Sequence, residues 1–407
     1  MKKFYFLLLV LLFTNWAQAQ YFTLTEDAEI SIITIGPGAE LYDKFGHSAF
    51  RIHDESQGID FAYNYGVYDF DTPNFYTKFA QGKLLYKVIG TYYQPFFESY
   101  VAQNRWVKEQ TLNLTYSEKQ AIFDFLQNNA KPENMNYKYD FFFDNCATKI
   151  RDVLITVLGE KLQYNGDYIT EENTFRELIQ KNLKSNTWGS LGIDLGLGAV
   201  IDRKASPMEY QFLPEYVSES AAHATLTRNN TKEELVKNTA ILYEAKQKDE
   251  ARNFFLSPIF IFSVLGLFII FITWKDLSNN TRSKYLDSVI FAVTSLIGIF
   301  LCLLWFATDH TATANNYNLL WAFPVSIIFI GLIAKKQPKH WLRKYVFFLI
   351  VMLLLLAIHW ITGVQVFAIG ILPLLVALAI RYIFLVFYLK RHQNTENLLP
   401  SKENNGA

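Results

Sequence analysis

The pattern of apolar and polar positions changes at about residue 253, where long apolar stretches begin to alternate with short charged loops. We predict five membrane spans, at 254–274, 288–308, 319–334, 345–361 and 365–389. A helix needs about 20 apolar residues to cross a bilayer, and the third and fourth stretches are close to the lower limit. The pattern therefore predicts a membrane domain of about five helices over 253–392, followed by a tail at 393–407.

The first residues have the pattern of a secretory signal peptide. Lys2 and Lys3 precede an apolar run at 4–13, and Ala17-Gln18-Ala19 is a small-x-small cleavage site. The apolar run is short for a membrane span. We expect a signal peptide at 1–19 and a mature chain that starts outside the cytoplasm.

Between these regions, residues 20–252 show mixed strand and helix patterns and predict one exported α+β domain. The predicted strands are 29–35, 48–53, 59–65, 82–89 and 106–114. The Ser117 to Gln120 stretch is typical of a helix-capping box, and a second helix is expected to start at Asp144 or Asn145 and to end at Gly159. The polar stretch 228–252 predicts a helical stalk that leads to the membrane.

Charge is distributed unevenly although the 407-residue chain has 38 basic and 38 acidic side chains. Residues 253–392 contain 11 Lys and Arg but 3 Asp, and ten of the basic residues lie in alternate loops or after the last span. By the positive-inside rule, this predicts a periplasmic N-terminal domain and a cytoplasmic C-terminus in the inner membrane. Arg381, inside the fifth span, is expected to snorkel towards the cytoplasmic face. Overall neutrality argues against nucleic acid as a partner.

The chain has two cysteines, Cys146 and Cys302, which excludes a disulfide framework or a cysteine-rich metal site. Cys302 lies within an apolar span. His, Asp and Glu show no metal-ligand spacing, and there is no glycine-rich phosphate loop. We therefore expect neither a metal nor a cofactor.

Cys146 lies where the helix after Asn145 is expected to start, and this position favours a reactive thiolate. The free N–H groups and positive dipole end of a helix N-terminus lower the pKa of a thiol. His47, at the start of a predicted strand, is the best candidate for the base that a nucleophilic cysteine needs. Asn64 is our first choice for the group that orients His47, with His53 and Asp60 as alternatives.

Three short motifs around these residues resemble the Lnb-type family of bacterial lipoprotein N-acyltransferases. They are Gly46-His47-Ser48-Ala49-Phe50-Arg51-Ile52, Tyr63-Asn64-Tyr65-Gly66 and Tyr139-Asp140-Phe141-Phe142-Phe143-Asp144-Asn145-Cys146-Ala147-Thr148. Weaker matches are Thr174-Phe175-Arg176, Phe212-Leu213-Pro214, Asp309-His310 and Asn318-Leu319-Leu320-Trp321. The order of histidine before cysteine is also similar to the circularly permuted papain-like clan of lecithin:retinol acyltransferases.

The resemblance implies a permuted papain-like exported domain joined to an all-α membrane bundle. It also implies transfer of a fatty acyl chain from a membrane phospholipid, through a thioester on Cys146, to the α-amine of diacylglyceryl-cysteine lipoproteins. Cys146, His47 and Asn64 would then be catalytic. We assign Asp144, Asn145, His310 and Asn318 to substrate binding.

Two other functions remain open from the sequence. A papain-like cell-wall peptidase would use the same cysteine and histidine, although it would not need five membrane spans. A non-enzymatic envelope assembly or transport factor would make Cys146 incidental.

Overall fold

The structure, a computed structural model, describes residues 22–246, 253–339 and 341–398, the last of these ranges without side chains from 392 onwards. The predicted signal peptide at 1–19 and most of the predicted tail lie outside these residues. So does the segment 247–252, which connects the exported domain to the first membrane helix.

A seven-stranded antiparallel sheet forms the centre of the exported domain, with the strand order β10-β5-β1-β2-β3-β4-β6. The strands are β1 (Glu29–Ile35), β2 (His47–Asp54), β3 (Ile59–Val67), β4 (Leu85–Tyr92), β5 (Val107–Leu112), β6 (Asn136–Lys138) and β10 (Val236–Tyr243). A second sheet joins β7 (Leu162–Gln163), β8 (Thr225–Arg228) and β9 (Thr231–Glu234) in that order.

Helices cover both faces of the large sheet, which explains why β1 is buried at six consecutive positions. Ile30 and Ile32 belong to the core beneath the helices Tyr116–Asn129 and Cys146–Leu158, whereas Ile33 and Ile35 belong to the core beneath the helix Tyr93–Ala102. The helices of this domain are α1 (Phe75–Ala80), α2 (Tyr93–Ala102), α3 (Tyr116–Asn129), α4 (Cys146–Leu158), α5 (Phe175–Asn182), α6 (Trp188–Gly196), α7 (Pro207–Tyr210) and α8 (Pro214–Ala222).

Most of the predicted elements of this domain are present, with two corrections. The helix-capping residue of α3 is Thr115 rather than Ser117, since the Thr115 hydroxyl accepts from the Glu118 N–H and the Glu118 carboxylate accepts from the Thr115 N–H. The predicted helical stalk is wrong within its described part. That stretch forms β9 and β10, and β10 pairs with β5 as an edge strand of the large sheet. An edge strand that faces water needs few apolar residues, so its sequence pattern is weak.

Four helices of the C-terminal region are long and apolar enough to cross a membrane, or five spans if a bent pair counts as one. The long helices are α9 (Pro258–Ser278), α10 (Lys284–Phe306), α12 (Leu342–Ile361) and α13 (Leu372–Leu398). The fold is therefore a sheet-rich α+β domain followed by a helical membrane domain, as the sequence predicts.

The third predicted span is not a continuous helix. Its first half, Thr311–Leu320, ends in a short 3₁₀ helix at Tyr317–Leu320. Its second half, Pro324–Ile333, consists of a 3₁₀ helix at Pro324–Phe329 and α11 (Ile330–Ile333). The two halves are bent by 46° relative to each other. Pro324 has no N–H to donate to the preceding turn, so a straight helix cannot pass through it. An average of hydropathy along the chain does not detect such a break.

Arg381 does not snorkel, in contrast to the sequence prediction. Its side chain is fully buried on α13, where the guanidinium donates to Asp287 at 2.7 Å and to Asp276 at 2.8 Å. Arg282 lies 3.4 Å from the second oxygen of Asp287. Two arginines and two aspartates therefore form a buried, electrically balanced cluster that joins α9, α10 and α13.

The exported domain is fastened to the loop after α10, which we call the outer loop (residues 307–318). Gly198 donates its N–H to the Ala312 carbonyl, and Ala199 donates to the Asn315 carbonyl. A Cβ atom on Gly198 would lie 1.8 Å from the Ala314 carbonyl oxygen, so only glycine permits this approach. The segment around Gly198 is held by the buried Arg176, which forms ion pairs with Asp194 at 3.0 Å and with Asp202 at 2.8 Å.

Candidate active site

Cys146 is the first residue of α4, and its neighbour Asn145 fixes the turn that places it there. The Asn145 side-chain oxygen accepts from the N–H groups of Ala147 and Thr148, at 2.8 and 2.9 Å. The Thr148 hydroxyl accepts from the Asn145 N–H in return. Asn145 is thus the helix cap, one of the two residues predicted for this position.

His47 and Asn64 lie beside Cys146 on neighbouring strands of the sheet. His47 begins β2, and Asn64 of β3 is paired in register with Ala49, two residues further along β2. The His47 Nε2 atom is 2.6 Å from the Asn64 side-chain oxygen, and the imidazole also hydrogen-bonds with Cys146. Since Nε2 faces Asn64, Nδ1 is the nitrogen left to face the thiol. The fold therefore brings together all three residues that the sequence singled out as catalytic.

The surroundings of the Cys146 thiol and the His47 imidazole favour the charged forms of both groups. Burial on its own would raise the pKa of the Cys146 thiol, but the charge and hydrogen bond of His47 hold that pKa below its ordinary value. The backbone N–H groups of Ser48 and Ala147 contribute in the same direction. Burial would likewise lower the pKa of His47, and the Cys146 thiolate and the Asn64 oxygen together raise it above its ordinary value. Both shifts favour a thiolate beside an imidazolium over the neutral pair.

A tyrosine wall encloses the thiol on the side of Gly66. Gly66 has a positive φ of 89°, and a Cβ atom there would lie 3.6 Å from the Cys146 Cβ, 3.9 Å from the Tyr137 hydroxyl oxygen and 4.0 Å from the Tyr139 ring. The Tyr137 hydroxyl is buried and has no hydrogen-bond partner among the described residues. Burial and the nearby Cys146 charge raise the pKa of Tyr137, so its hydroxyl keeps its proton as a donor.

Tyr100 and Arg105 form the wall on the other side. The Tyr100 ring stacks on His47 with 6.0 Å between ring centroids, and the Arg105 guanidinium lies 4.9 Å above the Tyr100 ring. Arg105 is anchored by a 2.8 Å bond to the Gly36 carbonyl. Sequence analysis missed both of these residues and Tyr137, because nothing in their local pattern marks them as neighbours of Cys146.

Comparison with known families assigns the two halves of the chain separately. Residues 13–181 match the family model of the Lnb N-terminal periplasmic domain, and residues 249–393 match that of the Lnb transmembrane domain. The chain belongs to the Lnb family. No curated protein and no solved structure matches it. Both halves match in the expected order, so the exported domain is periplasmic and the C-terminal region spans the membrane.

The side chains of Asn145 and Asp144 bind other residues of the protein in this Lnb-family site, although we assigned both to substrate binding. The Asn145 amide donates to the Phe141 and Phe212 carbonyls, at 2.6 and 2.8 Å, and the side chain is almost fully buried. Every polar atom of Asn145 is therefore used within the protein. Asp144 pairs with Lys149 at 2.6 Å. The first residue is structural, and the second belongs to a surface ion pair beside the nucleophile.

The two outer-loop candidates of the Lnb transmembrane domain differ from each other. Asn318 is fully buried, donates to the Asp194 carbonyl at 3.1 Å and accepts from the Trp321 indole at 3.0 Å. It holds the junction between the domains rather than an open docking groove, which corrects our assignment. His310 is exposed and lies beside Gly82 of the exported domain. No contact between described residues joins it to Cys146.

Within the described residues, no group of three or more His, Cys, Asp or Glu side chains is arranged to hold a metal ion. The other cysteine, Cys302, is half-buried on α10. The groups at this Lnb site are the Cys146 thiol, the His47 imidazole and their hydrogen-bonding neighbours.

Proposed function

We propose that this protein is a cysteine-dependent lipoprotein N-acyltransferase that takes its acyl chain from a membrane phospholipid. The observation that carries the proposal is the Cys146–His47–Asn64 arrangement, with its lowered thiol pKa and raised imidazole pKa. Its position in a periplasmic domain fastened to membrane helices supports a lipid substrate. Lipids that carry acyl chains leave a bilayer at a cost of about 0.8 kcal/mol per exposed CH₂ group.

In the first half-reaction the Cys146 thiolate attacks the carbonyl carbon of a phospholipid ester. The tetrahedral intermediate collapses to a thioester, and the departing glycerol oxygen takes a proton from the His47 imidazolium. The products are the acyl-cysteine and a lysophospholipid. His47 is left neutral, with its Nε2–H still donating to Asn64.

In the second half-reaction the neutral α-amine of a diacylglyceryl-cysteine attacks the thioester. His47 accepts a proton from the attacking nitrogen, and Cys146 leaves as a thiolate. An amide bond forms as the thioester breaks, and the resting thiolate and imidazolium are restored. No oxidant, metal or nucleotide is needed for either step.

The oxyanion of both intermediates needs hydrogen-bond donors, and Tyr137 is our candidate for one of them. At the start of α4, the Ala147 and Thr148 N–H groups are already donating to Asn145. These backbone groups are therefore not free to hold the oxyanion, because the cap uses them. The buried hydroxyl of Tyr137 has no partner and lies near the thiol. A donor of this kind, placed where charge develops, lowers the barrier.

The same proposal sets the orientation of the chain in the inner membrane. With the N-terminal domain in the periplasm and the bent pair counted as a span, five crossings place the C-terminus in the cytoplasm. The basic loops at 275–284 and 335–344 then lie on the cytoplasmic side. We retain the boundaries 20–252 for the catalytic domain and 253–392 for the membrane domain.

Mass spectrometry of Cys146 in the purified full chain tests the proposal. After incubation with phospholipid vesicles, Cys146 is expected to carry an acyl group that hydroxylamine releases, and Cys146→Ala is expected to carry none. A His47→Ala chain is expected to fold, to insert and to form the thioester far more slowly. Cys302→Ala is expected to behave like the unaltered chain, because Cys302 lies within a membrane helix.

The lipoproteins of cells with and without the gene separate the alternatives. Loss of the N-linked acyl chain supports the transferase. Unchanged lipoproteins with altered cell-wall peptides would instead support a peptidase, and full complementation by Cys146→Ala would support a non-enzymatic factor.

A further inference from the structure

A segment of the exported domain between β3 and β4 exposes large aromatic side chains to its surroundings. In residues 68–83, which we call the lip, Phe70 is 65% exposed, Tyr76 is 79% exposed and Phe79 is 54% exposed. Contiguous exposed apolar groups on a soluble domain mark a surface that contacts a membrane, a ligand or another protein. The proposed mechanism uses none of these three side chains.

The lip lies next to the point where the membrane helix α10 emerges. The outer loop donates the Asp309 N–H to the Gln81 carbonyl at 2.8 Å. A Cβ atom on Gly82 would lie 3.2 Å from His310. α10 ends at Phe306, only a few residues before these contacts. The lip is therefore at the level of the outer membrane surface of this helix, on the periplasmic side.

Lysines are placed around the same short helix. A cavity of about 270 Å³ beside α1 is lined by Lys78, Lys83 and Lys87, with Asp69 as the acidic side chain among its lining residues. Asp69 lies 3.7 Å from Lys87, which leaves a positive excess in the cavity. Aromatic side chains with lysines beside them are typical of protein surfaces at the level of lipid headgroups and phosphates.

A continuous row of aromatic rings connects the lip to the nucleophile. Tyr139, which lies with Cys146 around Gly66, stacks on Tyr86 with 4.3 Å between ring centroids. Tyr86 contacts Tyr68 at 5.5 Å, and Tyr68 contacts Phe75 of α1 at 5.9 Å. We call Tyr139, Tyr86, Tyr68 and Phe75 the aromatic row. Phe75 is buried and the three tyrosines are half-buried, and their rings supply apolar surface between the lip and the thiol.

We propose that the lip is immersed in the outer leaflet of the inner membrane and admits the acyl chain of the donor glycerophospholipid, which reaches Cys146 along the aromatic row. This inference rests on the proposed acyltransferase function and names the entrance that the donor uses. Phe70, Tyr76 and Phe79 contact acyl chains and headgroups. Lys78, Lys83 and Lys87 contact the phosphates of surrounding lipids.

Two substrates of different size test the entrance. The full chain carrying Cys302→Ala is assayed for Cys146 thioester by mass spectrometry, with a long-chain phosphatidylglycerol in mixed micelles and with soluble p-nitrophenyl butyrate. For Phe70→Ser/Phe79→Ser, the apparent KM for the phospholipid is expected to rise about tenfold or more, since each serine removes an apolar contact with the lipid. The short ester needs no lip, so its rate is expected to be unchanged.

Ile241→Ser is the matched control. Ile241 is 59% exposed on β10, at the opposite edge of the large sheet from β4 and β6. It is expected to keep the KM of the unaltered chain. The inference is overturned if the double lip variant matches the unaltered chain with phospholipid, or if Ile241→Ser raises the KM equally. If the unaltered chain forms no thioester from phospholipid at all, the proposed function itself fails.

A chain with Lys78→Gln, Lys83→Gln and Lys87→Gln tests the phosphate contacts separately. At low salt its apparent KM for phosphatidylglycerol is expected to exceed that of the unaltered chain. The difference is expected to vanish in roughly 1 M NaCl, where the screening length is about 3 Å. Equal KM values at low salt would exclude the lysines from lipid binding.

Discussion

Replacement of Asn64 by alanine removes the acceptor that holds the His47 imidazolium. The two groups are 2.6 Å apart and both are half-buried, so their bond has the geometry of a charge-assisted hydrogen bond. Such bonds contribute about 1.5–3 kcal/mol. Neutral His47 also donates through Nε2–H, so only the part of this energy that the positive charge adds bears on its pKa. Asn64→Ala is expected to lower the pKa of His47 by that part.

The sign of the effect on activity follows from the role of His47 as the proton donor to the leaving glycerol oxygen. In the unaltered chain the raised pKa of His47 keeps the imidazolium present as the pH rises, until the pH passes that pKa. With a lower pKa the imidazolium is lost at a lower pH. The alkaline limb of the pH profile of thioester formation is therefore expected to move to lower pH. The acid limb, where Cys146 becomes protonated, is expected to stay in place.

Two measurements on a Cys302→Ala background separate these limbs. Thioester formation against pH reports the alkaline limb, and the rate of Cys146 alkylation by iodoacetamide reports the thiolate without any lipid. Asn64→Asp serves as the matched variant, because it keeps an oxygen acceptor and adds a negative charge that raises the pKa of His47. An alkaline limb that is the same in Asn64→Ala and in the unaltered chain would refute the reasoning.

Three further substitutions test other parts of the structure. Tyr137→Phe is expected to slow thioester formation about 100-fold, the usual effect of losing one oxyanion donor, while Cys146 alkylation stays normal; an unchanged rate would remove Tyr137 from the mechanism. Arg381→Met leaves Asp276 and Asp287 buried without their main partner and is expected to cost about 3–5 kcal/mol, measured as a lower midpoint of thermal unfolding by tryptophan fluorescence. Addition of Asp276→Asn and Asp287→Asn is expected to recover most of the loss, and no recovery would contradict the charge argument. Gly198→Ala is expected to separate the domains at their junction and to slow acylation by phospholipid but not by a soluble ester, whereas equal rates with both would show that the junction is not needed.

The features that the sequence predicted correctly are those encoded locally. The run of isoleucines at Glu29–Ile35 predicts a buried strand, and Asn145 before Cys146 predicts a helix start, because each pattern depends on residues adjacent in the chain. His47 and Asn64 were identified as partners for a different reason. They lie near the start of one predicted strand and within the next, and antiparallel neighbours bring such positions together.

The features that sequence analysis missed depend on contacts between distant parts of the chain. Arg381 was expected to reach the aqueous surface because its two aspartate partners are 94 and 105 residues away in the sequence. Tyr137 is adjacent to Cys146 only because β6 closes the edge of the sheet. Asn318 has the polar character of a binding residue, and its burial becomes evident only when the exported domain is packed against the outer loop.

The buried arginine on the last helix also bears on how the chain is assembled during synthesis. A lone arginine at the centre of a membrane helix costs about 2.5–3.5 kcal/mol on insertion. The carboxylates that neutralise Arg381 are supplied by α9 and α10, which are synthesised earlier. The span Ile369–Arg391 thus enters the bilayer after the two aspartates that neutralise Arg381 have been synthesised. A chain truncated before this helix would leave Asp276 and Asp287 without Arg381, the main counter-charge of both.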